Sequence, residues 1–77
     1  MNRRHIELAH RSAISLFPGI AGTHWKVVVL LPKNQYGLSA EKLGYRVTIT
    51  DQFAIGVPPG SATREQMQEA ADVWNSP

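Results

Sequence analysis

The sequence predicts an α+β domain in which a three-stranded antiparallel sheet is flanked by an N-terminal and a C-terminal helix. Apolar residues recur at helical spacing near both ends of the chain, and runs typical of strands lie between them. Clusters of proline and glycine separate these segments. We expect the 77 residues to form one small domain over 1–77, frayed over 74–77, with the order α-β-β-β-α.

The first helix is predicted from about Arg3 to Phe17. Its apolar side chains fall within one arc of a helical wheel, its charged side chains lie opposite, and Pro18-Gly19 ends it. The apolar arc contains Ile6, Ala9, Ala13, Leu16 and Phe17, and the charged side contains Arg4, Glu7 and Arg11.

Three runs are predicted to be strands. Residues 25–31 are rich in β-branched side chains, and residues 45–50 alternate so that Tyr45, Val47 and Ile49 face the core. Phe53, Ile55 and Val57 also alternate, which predicts a third strand joined to the second by a hairpin at Asp51-Gln52. The thirteen residues 32–44 are expected to form a loop, with a short helical turn at Ser39 to Leu43.

The C-terminal helix has a clear start signal. Thr63-Arg64-Glu65-Gln66 matches a capping box, in which Thr63 caps the first turn and Gln66 reaches back. A helical stripe suited to packing on a sheet follows, formed by Met67, Ala70, Ala71 and Trp74.

Charge is unevenly distributed along the chain, although the net charge is only +2. Residues 1–33 carry five cations and one anion (+4), whereas residues 51–77 carry one cation and four anions (−3). Such asymmetry concerns partners and not fold. The candidate phosphate-binding residues are Arg3, Arg4, Arg11 and Lys26, and the candidates for binding a basic protein groove are Glu65, Glu69 and Asp72.

The outer face of the predicted sheet is a second candidate for partner binding. Val28 and Leu30 of the first strand point away from Val27 and Val29, and small or polar residues of the other strands accompany them. Either a helix covers this face, or it docks on a protein partner or on a second copy of the chain. The accompanying residues are Thr48, Thr50, Ala54 and Gly56.

No catalytic, cofactor or metal site is predicted. The chain has no cysteine, which excludes thiolate metal sites and disulfides and favours a cytoplasmic setting. His5 and His10 lie about 140° apart on a helix and cannot bind one metal from one face. The glycines of Gly19–Thr23 follow a helix, so this segment is a connector and not a phosphate loop. Because the longest apolar run has five residues (Val27–Leu31), no membrane segment is expected.

The order of elements is similar to that of the double-stranded-RNA-binding domain, which implies binding to duplex RNA. In that family, lysines at the start of the second helix contact phosphates; here the matching stretch Ala62–Gln66 has one arginine beside a glutamate. Gly22-Thr23-His24 resembles the Gly-Ser-His element of ribonuclease toxins of the HicA type, which implies a small nuclease using His24.

The function expected from these observations is that of a non-enzymatic binding protein. It would dock on a larger protein or nucleoprotein complex as an inhibitor or regulator. In size and type alone it resembles phage-encoded regulators, among them anti-CRISPR proteins. The alternative is a nucleic-acid-binding module that uses the basic N-terminal helix, and a homodimer would also explain Val28 and Leu30.

Overall fold

A computed structural model of the chain describes residues 2–31 and 35–77, and it has the predicted α+β class. The described residues form three α-helices and one antiparallel sheet with the strand order β1-β2-β3. The elements are α1 (Arg3–Leu16), a 3-10 turn (Pro18–Ile20), β1 (Lys26–Leu30), β2 (Gln35–Lys42), β3 (Tyr45–Thr50), α2 (Asp51–Ile55) and α3 (Arg64–Asn75).

Helix α1 follows the prediction closely. The Asn2 side chain caps it by accepting a hydrogen bond from the main-chain N–H of His5, and the centre of the predicted apolar arc is buried. At its C-terminal end, Leu16 is exposed and Phe17 is only half-buried. The arc is therefore narrower than the wheel suggests, and its buried members are Ile6, Ala9 and Ala13.

Helix α3 confirms both predicted features, its capping box and its apolar stripe. The Thr63 side chain accepts from the Gln66 N–H at 3.1 Å, and the Gln66 side chain accepts from the Thr63 N–H at 2.8 Å. All four stripe residues are buried. Near the end of the helix, Trp74 is buried and the Asn75 side-chain amide bonds both main-chain groups of Trp25, at 2.7 and 2.9 Å; the expected fraying over 74–77 stays a prediction.

The expected loop over residues 32–44 is wrong for the part that the structure describes. Residues 35–42 form β2, the central strand, and the expected helical turn at Ser39 to Leu43 lies in this strand and its turn; residues 32–34 lie outside the described ranges. A Cβ atom at Gly37 would lie 2.7 Å from the main-chain oxygen of Ile49 and 3.0 Å from Cδ1 of Leu30. Gly37 therefore occupies a position at which its two neighbouring strands leave no room for a larger residue.

The expected third strand at Phe53–Val57 is also wrong, because the chain turns into helix α2 directly after β3. The Thr50 hydroxyl caps α2 by accepting from the Phe53 N–H, and Gly56 ends the helix with a φ of 72°. Ala54 is buried in the core and Gly56 is the cap. The prediction that both residues lie on the outer face of the sheet is therefore wrong.

The hydrophobic core lies between one face of the sheet and the helices. Helices α2 and α3 contact the strands, and α1 packs against α2 and α3. Tyr45, predicted to face the core, is half-exposed beside Gly19 at the margin. The sheet contributes Leu38, Ala40, Val47 and Ile49 to the core cluster.

A two-residue hairpin turn joins β2 to β3. Lys42 pairs with Tyr45, and the residues between them, Leu43 and Gly44, have φ values of 52° and 81°. Positive φ at both positions is the geometry of a type I′ turn, which usually takes asparagine or glycine first. Leu43 is 99% exposed there and makes a strained, fully solvated tip.

Candidate docking surface

The outer face of the sheet, as we call the side away from the helices, is open over the described residues. Lys26, Val28 and Leu30 alternate with the core-facing Val27, so they point to this side. Val28 and Leu30 are half-buried but do not pack against the hydrophobic core. The sequence had placed these three residues on one side of the strand, and the structure agrees. The buried apolar side chains of all three helices belong to the core on the other side of the sheet.

The centre of the outer face is low and flat. Val28 pairs with Gly37, and Gly37 pairs with Thr50, so the row across the sheet has no side chain in its middle. The neighbouring row has Ser39 in the middle, where it is buried between Lys26 and Thr48. The Leu30 side chain lies over Gly37, so Val28 and Leu30 form a low apolar strip on the β1 side of this face.

The rim of the outer face is polar and carries a surplus of positive charge. Arg46 and Glu41 pair directly across β2 and β3, and the Arg46 Nη2 lies 3.1 Å from the Glu41 carboxylate. Both side chains are exposed, so the pair adds at most about 1 kcal/mol to stability. Lys26 is exposed at the opposite edge, where no ion pair involving it is seen among the described residues.

The other predicted site residues lie on the helical side of the molecule, the cations on α1 and the acids on α3. Arg4 and Arg11 are exposed on α1, on the side opposite its buried residues. Arg3 lines the groove between the two helices, and its Nε lies 2.9 Å from the Glu7 carboxylate. The acidic ridge on the solvent side of α3 consists of Glu65, Glu69 and Asp72.

The cations of α1 and the acids of α3 do not form separate surfaces. Arg3, Glu69 and Asp72 line the same groove between α1 and α3. A phosphate that approaches Arg3 would therefore also meet the carboxylates of Glu69 and Asp72, which weakens this groove as a nucleic-acid site.

The histidines contribute mainly to packing. The His5 ring lies against Gly56, with Nε2 3.3 Å from the Phe53 carbonyl oxygen. His10 stacks on Trp74 with ring centroids 5.1 Å apart. It shares a shallow depression with the exposed His24, yet the residues that the structure describes contain no group of three potential metal ligands.

His10 makes the stability of the fold depend on pH. Burial lowers the pKa of His10 below its usual 6.5, because the charged imidazolium is poorly solvated there. The unfolded chain takes up this proton near pH 6.5 while the folded chain does not, so stability falls as the pH drops through that value. We expect the urea concentration at the midpoint of unfolding to decrease as the pH is lowered from about 7.5 to about 5.5. H10Q should remove this part of the dependence, and an unchanged pH profile in H10Q would contradict the assignment.

Sequence reasoning missed the fully buried Asp51, which organises the chain next to the sheet. Its carboxylate accepts hydrogen bonds from the Gln35 side chain at 2.7 Å and from the main-chain N–H groups of Gln52, Gly60 and Ala62 at 2.8, 3.0 and 3.2 Å. These bonds fix the end of β3, the start of α2 and the loop that leads to α3. The sequence did contain a signal for helix α2. Thr50 is a typical N-cap residue, Asp51 is an acid in the first turn, and Gly56 is a typical C-cap residue.

Comparisons of the chain with protein-family models, with curated proteins and with solved structures find no match. Over the described residues, none of the helices is sufficiently long and apolar to cross a bilayer.

Proposed function

We propose that this chain is a non-enzymatic binding protein that docks through the outer face of its sheet on a larger protein or nucleoprotein complex, as an inhibitor or regulator. The observation that carries the proposal is that Val28 and Leu30 lie on a sheet face that none of the described helices covers. Sheets normally bury their apolar faces against another layer. An apolar strip left open on a small protein therefore marks a place where another molecule binds.

The chemistry of the face indicates what the partner offers. The apolar strip of Val28 and Leu30, with the Leu30 side chain lying over Gly37, offers a flat apolar contact to a partner. Lys26 and Arg46 on the rim favour a partner surface with acidic groups around that apolar centre. The absence of cysteine from the sequence is compatible with action in the reducing cytoplasm, which is part of the proposal.

Nucleic-acid binding through α1 receives less support. Arg3 lies in a groove with Glu69 and Asp72, and Lys26 lies on the outer face of the sheet away from Arg4 and Arg11, so these cations do not form one patch. Treating the captured material with nuclease separates the two functions, because binding through nucleic acid would be lost and direct docking would survive.

The experiment is affinity capture from the native host with two matched variants. V28E places a charge in the apolar strip, and we expect it to reduce recovery of the partner at least tenfold, about 1.4 kcal/mol or more. L8E makes the same kind of change at a half-exposed leucine of α1, on the helical side, and should recover the partner like the wild type. Circular dichroism must show that both variants are folded.

Two results would count against the proposal. Capture of no stoichiometric partner by the wild-type chain would remove its basis. Loss of the partner in L8E but not in V28E would place docking on the helical side.

A further inference from the structure

We propose that the free edge of β1 pairs with β1 of a second copy, forming an antiparallel dimer with one continuous six-stranded sheet. This edge adjoins the outer face, and the dimer does not depend on the function proposed above. The direction of the main-chain groups, the side chains at this edge and the symmetry of antiparallel pairing all favour it.

The register of the sheet shows which main-chain groups of β1 point outward. Lys42 and Tyr45 flank a two-residue turn, so they exchange hydrogen bonds, and alternate pairs along β2 and β3 do the same. The main-chain groups of the intervening β2 residues must then form hydrogen bonds with β1. Gly37, for example, bonds its partner Val28. The N–H and C=O groups of the odd-numbered β1 residues, Val27 and Val29, consequently face away from the sheet.

The contacts of Trp25 support this direction independently. Its N–H and C=O are bonded by the Asn75 side-chain amide, which lies where a neighbouring strand would lie. Asn75 thus covers the start of this edge, and the same side of the strand continues at Val27 and Val29. Among the described residues, no main-chain or side-chain hydrogen bond to these outward groups is seen.

The side chains at this edge are apolar and unprotected. Val29 is 48% exposed and Leu31 is 82% exposed, and the strand between Lys26 and Leu31 has no charge. Natural proteins usually protect an edge strand with charges, prolines or bulges. Strand β1 has a charge only at its first residue, Lys26, whereas β3 carries Arg46 inside the strand and contacts the 3-10 turn.

A second copy fits this edge because antiparallel pairing of identical strands is self-complementary. With the two-fold axis at Val29, each Val29 lies opposite Val29 of the second copy, Val27 lies opposite Leu31, and Val28 lies opposite Leu30. Every pair is apolar, and the pairing avoids Trp25, whose groups Asn75 already occupies. The two outer faces would then join into one surface twice as wide.

The strength of this dimer is limited by its length. A five-residue strand buries less than the roughly 1,600 Å² of a standard interface. We therefore expect a reversible dimer, with a mass that rises from 8.5 kDa toward twice that value between about 10 µM and about 1 mM chain.

Sedimentation equilibrium of the purified chain tests the proposal without any other partner. V29K places two like charges at the two-fold axis and should remain monomeric over the whole concentration range, with an unchanged circular dichroism spectrum. L43K is the matched control, because it makes the same change at the exposed hairpin tip and should dimerise like the wild type. A wild-type chain that stays monomeric, or a V29K dimer as strong as the wild-type one, would overturn the proposal.

A disulfide measurement keeps the test decisive if V29K fails to fold. The chain has no cysteine, so a single introduced thiol forms only intermolecular bonds. The Cα atoms of opposed residues in a hydrogen-bonded antiparallel pair lie about 5.5 Å apart. This distance is within the Cα–Cα range that a disulfide spans. V29C should oxidise to a dimer at least tenfold faster than L43C under the same conditions, and equal rates would overturn the proposal.

Discussion

Replacing Asp51 with alanine is expected to lower the free energy of unfolding by about 3–5 kcal/mol. The Asp51 side chain is fully buried and accepts four hydrogen bonds, three of them from main-chain N–H groups. Alanine would leave the N–H groups of Gly60 and Ala62 and the amide of Gln35 without their acceptor. A chain of 77 residues has about 4–12 kcal/mol of stability in total, so the variant should lose at least about a quarter of it.

Urea unfolding monitored by circular dichroism measures this effect. D51N keeps the size and one acceptor oxygen, so it should lose an intermediate amount of stability. D72A is the matched control, because Asp72 is exposed on the solvent side of α3 and its loss should change stability by about 0.5 kcal/mol or less. A D51A variant as stable as D72A would show that these hydrogen bonds do not organise the fold.

Replacing Trp74 with alanine should have an effect of similar size, about 3–5 kcal/mol. The Trp74 ring is buried, stacks on His10 and meets Trp25 edge-to-face with centroids 4.8 Å apart. Its indole N–H donates to the Ile6 carbonyl oxygen at 2.8 Å, which ties α3 to α1. Alanine would remove this bond and leave a cavity at the centre of the aromatic cluster.

W74F separates the two contributions of this residue. Phenylalanine keeps much of the ring but cannot donate to Ile6, so we expect it to cost about 1–2 kcal/mol. Thermal melts of the two variants and of the wild type provide the comparison. Equal losses in W74F and W74A would mean that the hydrogen bond dominates, and a W74A melt near the wild-type temperature would contradict the packing described for this cluster.

The elements with strong local signals could be predicted from the sequence. Helix α1, helix α3 with its capping box, and strands β1 and β3 agree with their patterns of apolar residues. The two wrong assignments, at residues 35–42 and 53–57, have different causes. Strand β2 has low strand propensity and forms because β1 and β3 pair with it, whereas the alternation of Phe53, Ile55 and Val57 imitates a strand in a segment whose caps make it a helix.

The candidate surfaces were predictable only in part. Alternation along β1 was enough to place Val28 and Leu30 away from the core. The juxtaposition of Arg3 with Glu69 and Asp72 was not predictable, because it depends on α1 packing beside α3, more than sixty residues along the chain. The same packing places the cations of α1 and the acids of α3 on one side of the molecule.

The most direct test of the central claim, that the outer face of the sheet is the docking surface, is site-specific photocrosslinking in the native host. A photoreactive residue would replace Thr48, which is exposed on the outer face, or Arg11, which is exposed on the helical side. We predict one defined crosslinked partner from position 48 and none from position 11. A partner crosslinked from position 11 and not from position 48 would contradict the proposal.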